Sequence, residues 1–263
     1  RSTAKKLTFE RKLDNGKIQL FYGFAAAAKP GFYELWPFLF MNGARPLNPE
    51  GTRFTFDTPE ALSALSRLAD LKTSDKAADP LTGSDQTGEL FSAFASPRKR
   101  TVAIEPWGSW AVNSLLGDAA FTEVPLDFAV AEYPSSAAGK PKTLASFAGY
   151  VVFKQKDAQK RKLVRELALM LSSLDEQYAA AVTFGTLPAR RSVLARDPFA
   201  RQPMLARTAR MLDLAETLPR HPEWSRIEAA IQSQLQLILG GNKKPADAMA
   251  DARKDVDAIL AGK

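Results

Sequence analysis

The chain has 263 residues, 45% apolar and 25% charged, which suits one large globular domain or two ordinary ones. No run reaches the ~18 to 20 apolar residues of a bilayer-spanning helix, the most apolar stretch being LWPFLFM (35–41), interrupted by proline. The absence of cysteine removes disulfides, thiolate metal sites and cysteine nucleophiles, and the net charge of +7 is scattered among acids along the chain.

The opening RSTAKKLTFERK has no apolar core of signal-peptide type, so a mature, trimmed or fragmentary chain is expected. QLFYGFAA (19–26) has the β-branched and aromatic content of a strand. Trp36 follows in GFYELWPFLF, an apolar run dense enough to favour core packing. Thr58-Pro59-Glu60 reads as an N-cap with proline at the first helical position, opening a helix over 59–72. Its apolar positions are Leu62, Leu65, Leu68, Ala69 and Leu71. A second helix, 86–95, carries Leu90, Phe91 and Phe94, and TVAIE (101–105) reads as a strand running into EPWGSW (105–110).

DFAVAEY (127–133) and YVVFK (150–154) read as further strands, separated by the loop SSAAGKPK (135–142). Leu163, Leu167, Met170 and Leu171 form the stripe of a helix over 158–172. Asp175 is expected to cap the next helix, which Gly185 stops. Trp224, Ile227, Ile231, Leu235 and Ile238 then step by 3, 4, 4 and 3 towards Gly240-Gly241. Pro245 opens the last helix, with Ala248, Ala252, Val256 and Ile259 facing inward. Helices alternating with isolated strands indicate an α/β architecture.

Catalytic signatures are sparse. The single histidine, His221, sits between prolines in LPRHPEW and reads as a solvated loop residue. No nucleophile elbow, phosphate loop, dinucleotide fingerprint or zinc helix motif occurs. The 29 acids always offer carboxylate pairs, so a carbohydrate-active enzyme stands as an alternative class, but no pair is singled out. The basic clusters PRKR (97–100) and KQKDAQKRK (154–162) lack interleaved aromatics and read as solvated surface, not a nucleic-acid site. The four tryptophans are the informative residues. Trp107, Trp110 and Trp224 lie at element ends, where an indole can present a flat apolar face to a sugar ring. For Trp110 and Trp224, ligand contact and packing stand level on local sequence.

Taken in order, several segments resemble the extracellular solute-binding proteins of ABC importers, in the carbohydrate-binding family that includes maltose-binding protein. They are GKIQLFYGFA (16–25), WPFLFMNGARPL (36–47), DTPEALSALSRLADL (57–71) and LFSAFASPRKRTVAIEPWGSWAVNSL (90–115). DFAVAEYP (127–134), SFAGYVVFKQ (146–155), FGTLPARRSV (184–193) and the stretch 222–256 complete the series. Two departures stand out: Ala148-Gly149 replaces a pair of glycines, and the turn at 105–110 carries an extra Pro-Trp.

The resemblance implies a two-lobed α/β fold with a hinge and central cleft. Residues 1–142 and 197–263 would form the second lobe, and 143–196 part of a first lobe left incomplete because the family's opening segment has no counterpart here. It implies a monomeric periplasmic or lipid-anchored receptor that captures a sugar between its lobes and delivers it to membrane permease subunits, with no catalysis, metal or cofactor. By the same resemblance, Trp110 in the Gly-x-Trp turn stacks on a sugar, with Trp224 and Tyr33 as further aromatic contacts and Trp107 as a second wall. Gly149 allows close backbone approach, its alternative being a plain tight turn. Arg190 donates to a hydroxyl pair or an anion, its alternative being a surface salt bridge. A sister reading keeps the fold and substitutes a sugar phosphate or glycerol phosphate ester as solute.

Overall fold

The computed structural model describes residues 1–31, 33–116, 126–134, 141–197 and 199–262. Most of the expected loop 135–142 therefore lies outside the described residues. In chain order the elements are α1 (Ser2–Lys6), β1 (Phe9–Lys12), β2 (Ile18–Phe21), α2 (Trp36–Phe40), α3 (Pro59–Thr73) and α4 (Thr87–Ala95). Then come α5 (Ala111–Leu115), β3 (Thr143–Leu144), α6 (Ala158–Leu171), α7 (Leu174–Phe184), α8 (Arg191–Leu194) and α9 (Pro203–Arg210). A 3-10 turn over Met211–Leu214, β4 (Ala215–Glu216), α10 (Trp224–Leu239) and α11 (Pro245–Leu260) complete the chain.

Packing divides the chain into two units, Arg1–Trp107 with Glu132–Leu144 and Glu216–Lys263, and Gly108–Ala131 with Ala145–Ala215. This differs from the expected lobe boundaries chiefly at 108–131 and 197–215. Those segments join the second unit because Val112, Phe199 and Leu205 share one small core with Ala181 and Val193.

In the first unit, residues 22–28 run extended between two other stretches. The Tyr22 amide donates to the Thr101 carbonyl at 2.7 Å and Ala25 to Ile104 at 3.0 Å on one side. Phe24 donates to Ala77 at 3.1 Å and Ala28 to Ser84 at 2.9 Å on the other. The bridges Tyr22–Val102 and Phe24–Ala78 are parallel, so the expected strands 19–26 and 101–105 do meet. A parallel centre covered on both faces calls for a continuous apolar run. Ala25–Ala28 provide one, each at most 2% exposed.

Helices α3, α10 and α11 share the main core. Their stripes carry alanines at 61, 64, 248 and 252, all buried, which leave room for neighbouring helices to approach closely. The Thr58 hydroxyl accepts from the Ala61 amide, with Pro59 at the first helical position, as the sequence predicts. Arg253 on α11 makes a two-pronged bond to Asp57, at 2.7 and 2.6 Å, just ahead of α3. Trp36 is fully buried, its ring 5.7 Å from that of Phe56.

The second unit follows its sequence less closely. Ser173, not Asp175, caps α7, its hydroxyl accepting from the Glu176 amide at 3.3 Å. The serine precedes the helix in extended conformation, whereas Asp175 already lies in its first turn, near the positive end of the helix dipole. Gly185 does end α7, in the left-handed region at φ +67°. Among the described residues, 127–133 and 150–154 are not strands. A strand is completed by the neighbour it bonds to, and neither segment enters a described ladder, although Phe128 and Val130 still pack on the small core. The expected stripe of α6 is present as a helix face but holds no buried residue.

Candidate functional site

Trp110 is the most exposed of the four indoles, 42% accessible, at the N-cap of α5. Two glycines hold it there. A Cβ on Gly108 would lie 2.3 Å from the Trp110 Nε1, so the indole folds back across a backbone that only glycine leaves open. A Cβ on Gly185 would lie 2.7 Å from the Trp110 carbonyl oxygen and 3.2 Å from the Asn113 Cβ. The Asn113 amide group donates to the Val182 carbonyl at 3.1 Å, tying α5 to the end of α7. The Gly-x-Trp turn thus packs closely on its neighbours while part of the Trp110 surface stays accessible.

Arg190 braces the same unit. Its main-chain amide donates to the Gln177 side chain at 3.1 Å, and its Nε donates to the Ser172 carbonyl at 3.1 Å. Ser172 is the C-cap of α6, so the guanidinium meets the negative end of a helix dipole at a carbonyl oxygen. Gly149 lies in an extended, exposed stretch where an added Cβ would meet nothing within 4 Å. Nothing in the described packing demands glycine there.

The remaining three candidates belong to the first unit. Tyr33 is 42% exposed. Trp107 is half-buried, edge-on to Phe91 with ring centroids 4.7 Å apart. Trp224 begins α10 and packs against Trp36 at 6.0 Å, so part of its surface is committed to the core. His221 steadies that helix start, its Nδ1 accepting from the Glu223 amide at 3.1 Å. The six residues thus divide evenly, Tyr33, Trp107 and Trp224 on one unit and Trp110, Gly149 and Arg190 on the other.

Two carboxyls join the aromatics of the first unit, and sequence reading passed over both. Glu34, next to Tyr33, is 5% exposed and accepts from the Ala27 amide at 2.5 Å. Burial pushes its pKa up to about 8, against the lowering effect of that amide. Glu105 is also pushed up to about 8, first by burial and also by the charges of Glu34 and Asp79, while the nearby Trp107 works the other way. Both are therefore shifted towards the protonated form at neutral pH. Burial also raises the Tyr133 phenol, with Glu34 adding to it. The sequence signal was an acid inside an apolar run, in YELW and at the end of TVAIE. Among the described residues no cluster of His, Cys, Asp or Glu is arranged to hold a metal ion.

No family model and no curated protein matches this sequence. Solved structures do match its fold. The maltose/maltodextrin-binding domain MalE from Bdellovibrio bacteriovorus, bound to maltotriose, is 22% identical with a TM-score of 0.77 over 99% of this chain and 65% of its own. An ABC substrate-binding protein from Listeria monocytogenes in complex with cycloalternan is 19% identical, TM-score 0.72, over 99% of this chain and 62% of its own. The sugar-binding protein MalE from Xanthomonas citri is 18% identical, TM-score 0.73, over 92% of this chain and 59% of its own. The chain therefore spans about three-fifths to two-thirds of the length of these structures, and over that span it has the helix-rich α/β fold of the maltose- and maltodextrin-binding proteins.

Proposed function

We propose that this chain belongs to a receptor that binds a neutral sugar or oligosaccharide and presents it to the permease of an ABC importer. The observation that carries the reading is the mount of Trp110. Glycines at 108 and 185 let the backbone pack closely against Trp110, whose residue keeps 42% of its surface accessible. An exposed indole face suits the C–H side of a sugar ring. The Arg190 Nε is engaged by a main-chain carbonyl. The sugar-bound state of the matched structures points the same way. On this reading the protein is a monomer that works outside the cytoplasmic membrane, periplasmic or lipid-anchored, and catalyses nothing.

The test is calorimetry on the polypeptide of the complete reading frame, titrated with maltotriose, other neutral oligosaccharides and their phosphate esters. Saturable heat with a neutral oligosaccharide and an unaltered sugar afterwards is expected. Binding confined to the phosphate esters, or release of shorter sugars, would overturn the reading.

A further inference from the structure

More than half of the chain's net charge of +7 is concentrated in the segment 154–166, where six Lys or Arg stand against Asp157 and Glu166. Both acids are engaged. Asp157 caps α6, its carboxylate accepting from the Lys160 amide at 2.6 Å, and Glu166 faces Lys162 at 3.8 Å. The remaining cations of the segment gather in one place. Lys154, Lys156, Arg161 and Arg165 line a single hollow of about 400 Å³ in the second unit. All four are exposed, and among the described residues none of their side chains has an ion pair or a hydrogen bond.

Two of the four come from the extended stretch ahead of α6 and two from the helix itself. Arg161 and Arg165 are four positions apart, so their guanidinium groups stand on one face, where like charges repel and weaken a helix. Salt screens such repulsion only in part at these short separations. A surface built for solubility alone intersperses both signs of charge, whereas here four cations share one hollow with no acid in its lining. An anion seated among them would turn that repulsion into attraction.

The chemistry of the lining narrows the anion. Lys and Arg side chains are donors only, and a sugar hydroxyl asks for acceptors as well. Guanidinium forks match the paired oxygens of a phosphate, and ammonium groups add charge from any direction. The volume suits a small molecule or a headgroup. We propose that Lys154, Lys156, Arg161 and Arg165 form a binding site for a phosphate group, carried by the free anion or by the headgroup of an anionic phospholipid. Trp110 takes no part in this lining, so the inference is independent of the sugar reading.

The test uses the polypeptide of the complete reading frame in low-salt buffer, titrated calorimetrically with inorganic phosphate. Saturable heat is expected. Arg161→Gln combined with Arg165→Gln should weaken it by roughly 10-fold or more, the worth of a hydrogen bond to a charged group. Arg11→Gln combined with Lys12→Gln, exposed on β1 of the first unit, removes the same charge and should leave the affinity unchanged. Lysine acylation of the unsubstituted protein gives a second reading, in which phosphate slows reaction at Lys154 and Lys156 and not at Lys12. Flotation with phosphatidylglycerol and phosphatidylcholine vesicles separates the two sources. Retention on phosphatidylglycerol alone, competed away by inorganic phosphate, assigns the headgroup; saturable phosphate heat without retention assigns the free anion. Absence of both would overturn the proposal. So would an equal loss in the Arg11 and Lys12 control, which would mark diffuse charge, or vesicle retention that the Arg161 and Arg165 variant keeps in full.

Discussion

In the first unit, α10 sends Ile227, Ile231, Leu235 and Ile238 into a core where each is at most 1% exposed. In the second, α6 places Leu163, Leu167 and Met170 at similar spacing and leaves each at least 50% exposed. Both helices are amphipathic. The difference lies in the partner: α10 packs on α3, α11 and the 22–28 strand region, whereas α6 has no buried residue of its own. Periodicity specifies which face a helix turns inward, and burial then depends on whether another apolar surface is present to meet it.

The largest test of this contrast is a pair of truncations. Ile231→Ala should cost the first unit ~2 to 5 kcal/mol, because a fully buried branched side chain leaves a cavity behind. Leu167→Ala in the 263-residue chain should change stability by no more than about 0.5 kcal/mol, because its side chain already meets water. Urea titration followed by signals from each unit measures both. Comparable losses at the two positions would break the comparison.

The next effect is a pH dependence confined to the first unit. Glu34 and Glu105 start from an ordinary carboxyl value of 4.5 and are raised to about 8 in the folded state. A raised carboxyl is held in its protonated form by folding. Its contribution is full below about pH 4.5, declines as the unfolded chain ionises, and is gone once pH passes about 8. First-unit stability should therefore fall across that window, and Glu34→Gln should flatten part of the slope. The described residues of the second unit include no buried carboxylate, so its transition should lack this feature. A first-unit stability that rises from pH 5 to 8 in step with ionisation of these two groups would contradict the assignment.

A smaller effect sharpens the account of the second unit. Gly185→Ala places a Cβ 2.7 Å from the Trp110 carbonyl at a φ of +67°. A left-handed non-glycine residue costs about 1 to 2 kcal/mol, and the contact with Trp110 adds to it. A change in the near-ultraviolet tryptophan dichroism, smaller than that left by the other three tryptophans, together with a lower urea midpoint is expected; an unchanged spectrum would mean the turn does not hold the indole.

Much of this was legible beforehand. Thr58-Pro59 gave the start of α3, Pro245 that of α11, and Gly185 the end of α7, because caps and stops act within one turn of chain. Trp36 was readable as core from its apolar neighbours. The sequence reads 127–133 and 150–154 as strands, yet neither is one among the described residues, since composition speaks for a sheet while pairing depends on a neighbouring strand. At the site, the sequence pointed to Trp110 but not to its mount, because the contact of Gly185 with Trp110 joins residues 75 positions apart. Glu34 and Glu105 were hidden among 29 acids until burial distinguished them.

The central claim is that the Trp110 face meets the sugar. Its most direct test is calorimetry on the complete polypeptide carrying Trp110→Ala, with far-ultraviolet dichroism confirming the fold. Buried aromatic anchors in interfaces contribute about 2 kcal/mol or more, so the affinity for the bound oligosaccharide should fall by roughly 30-fold or more. A folded variant that binds at the affinity of the parent would contradict the account.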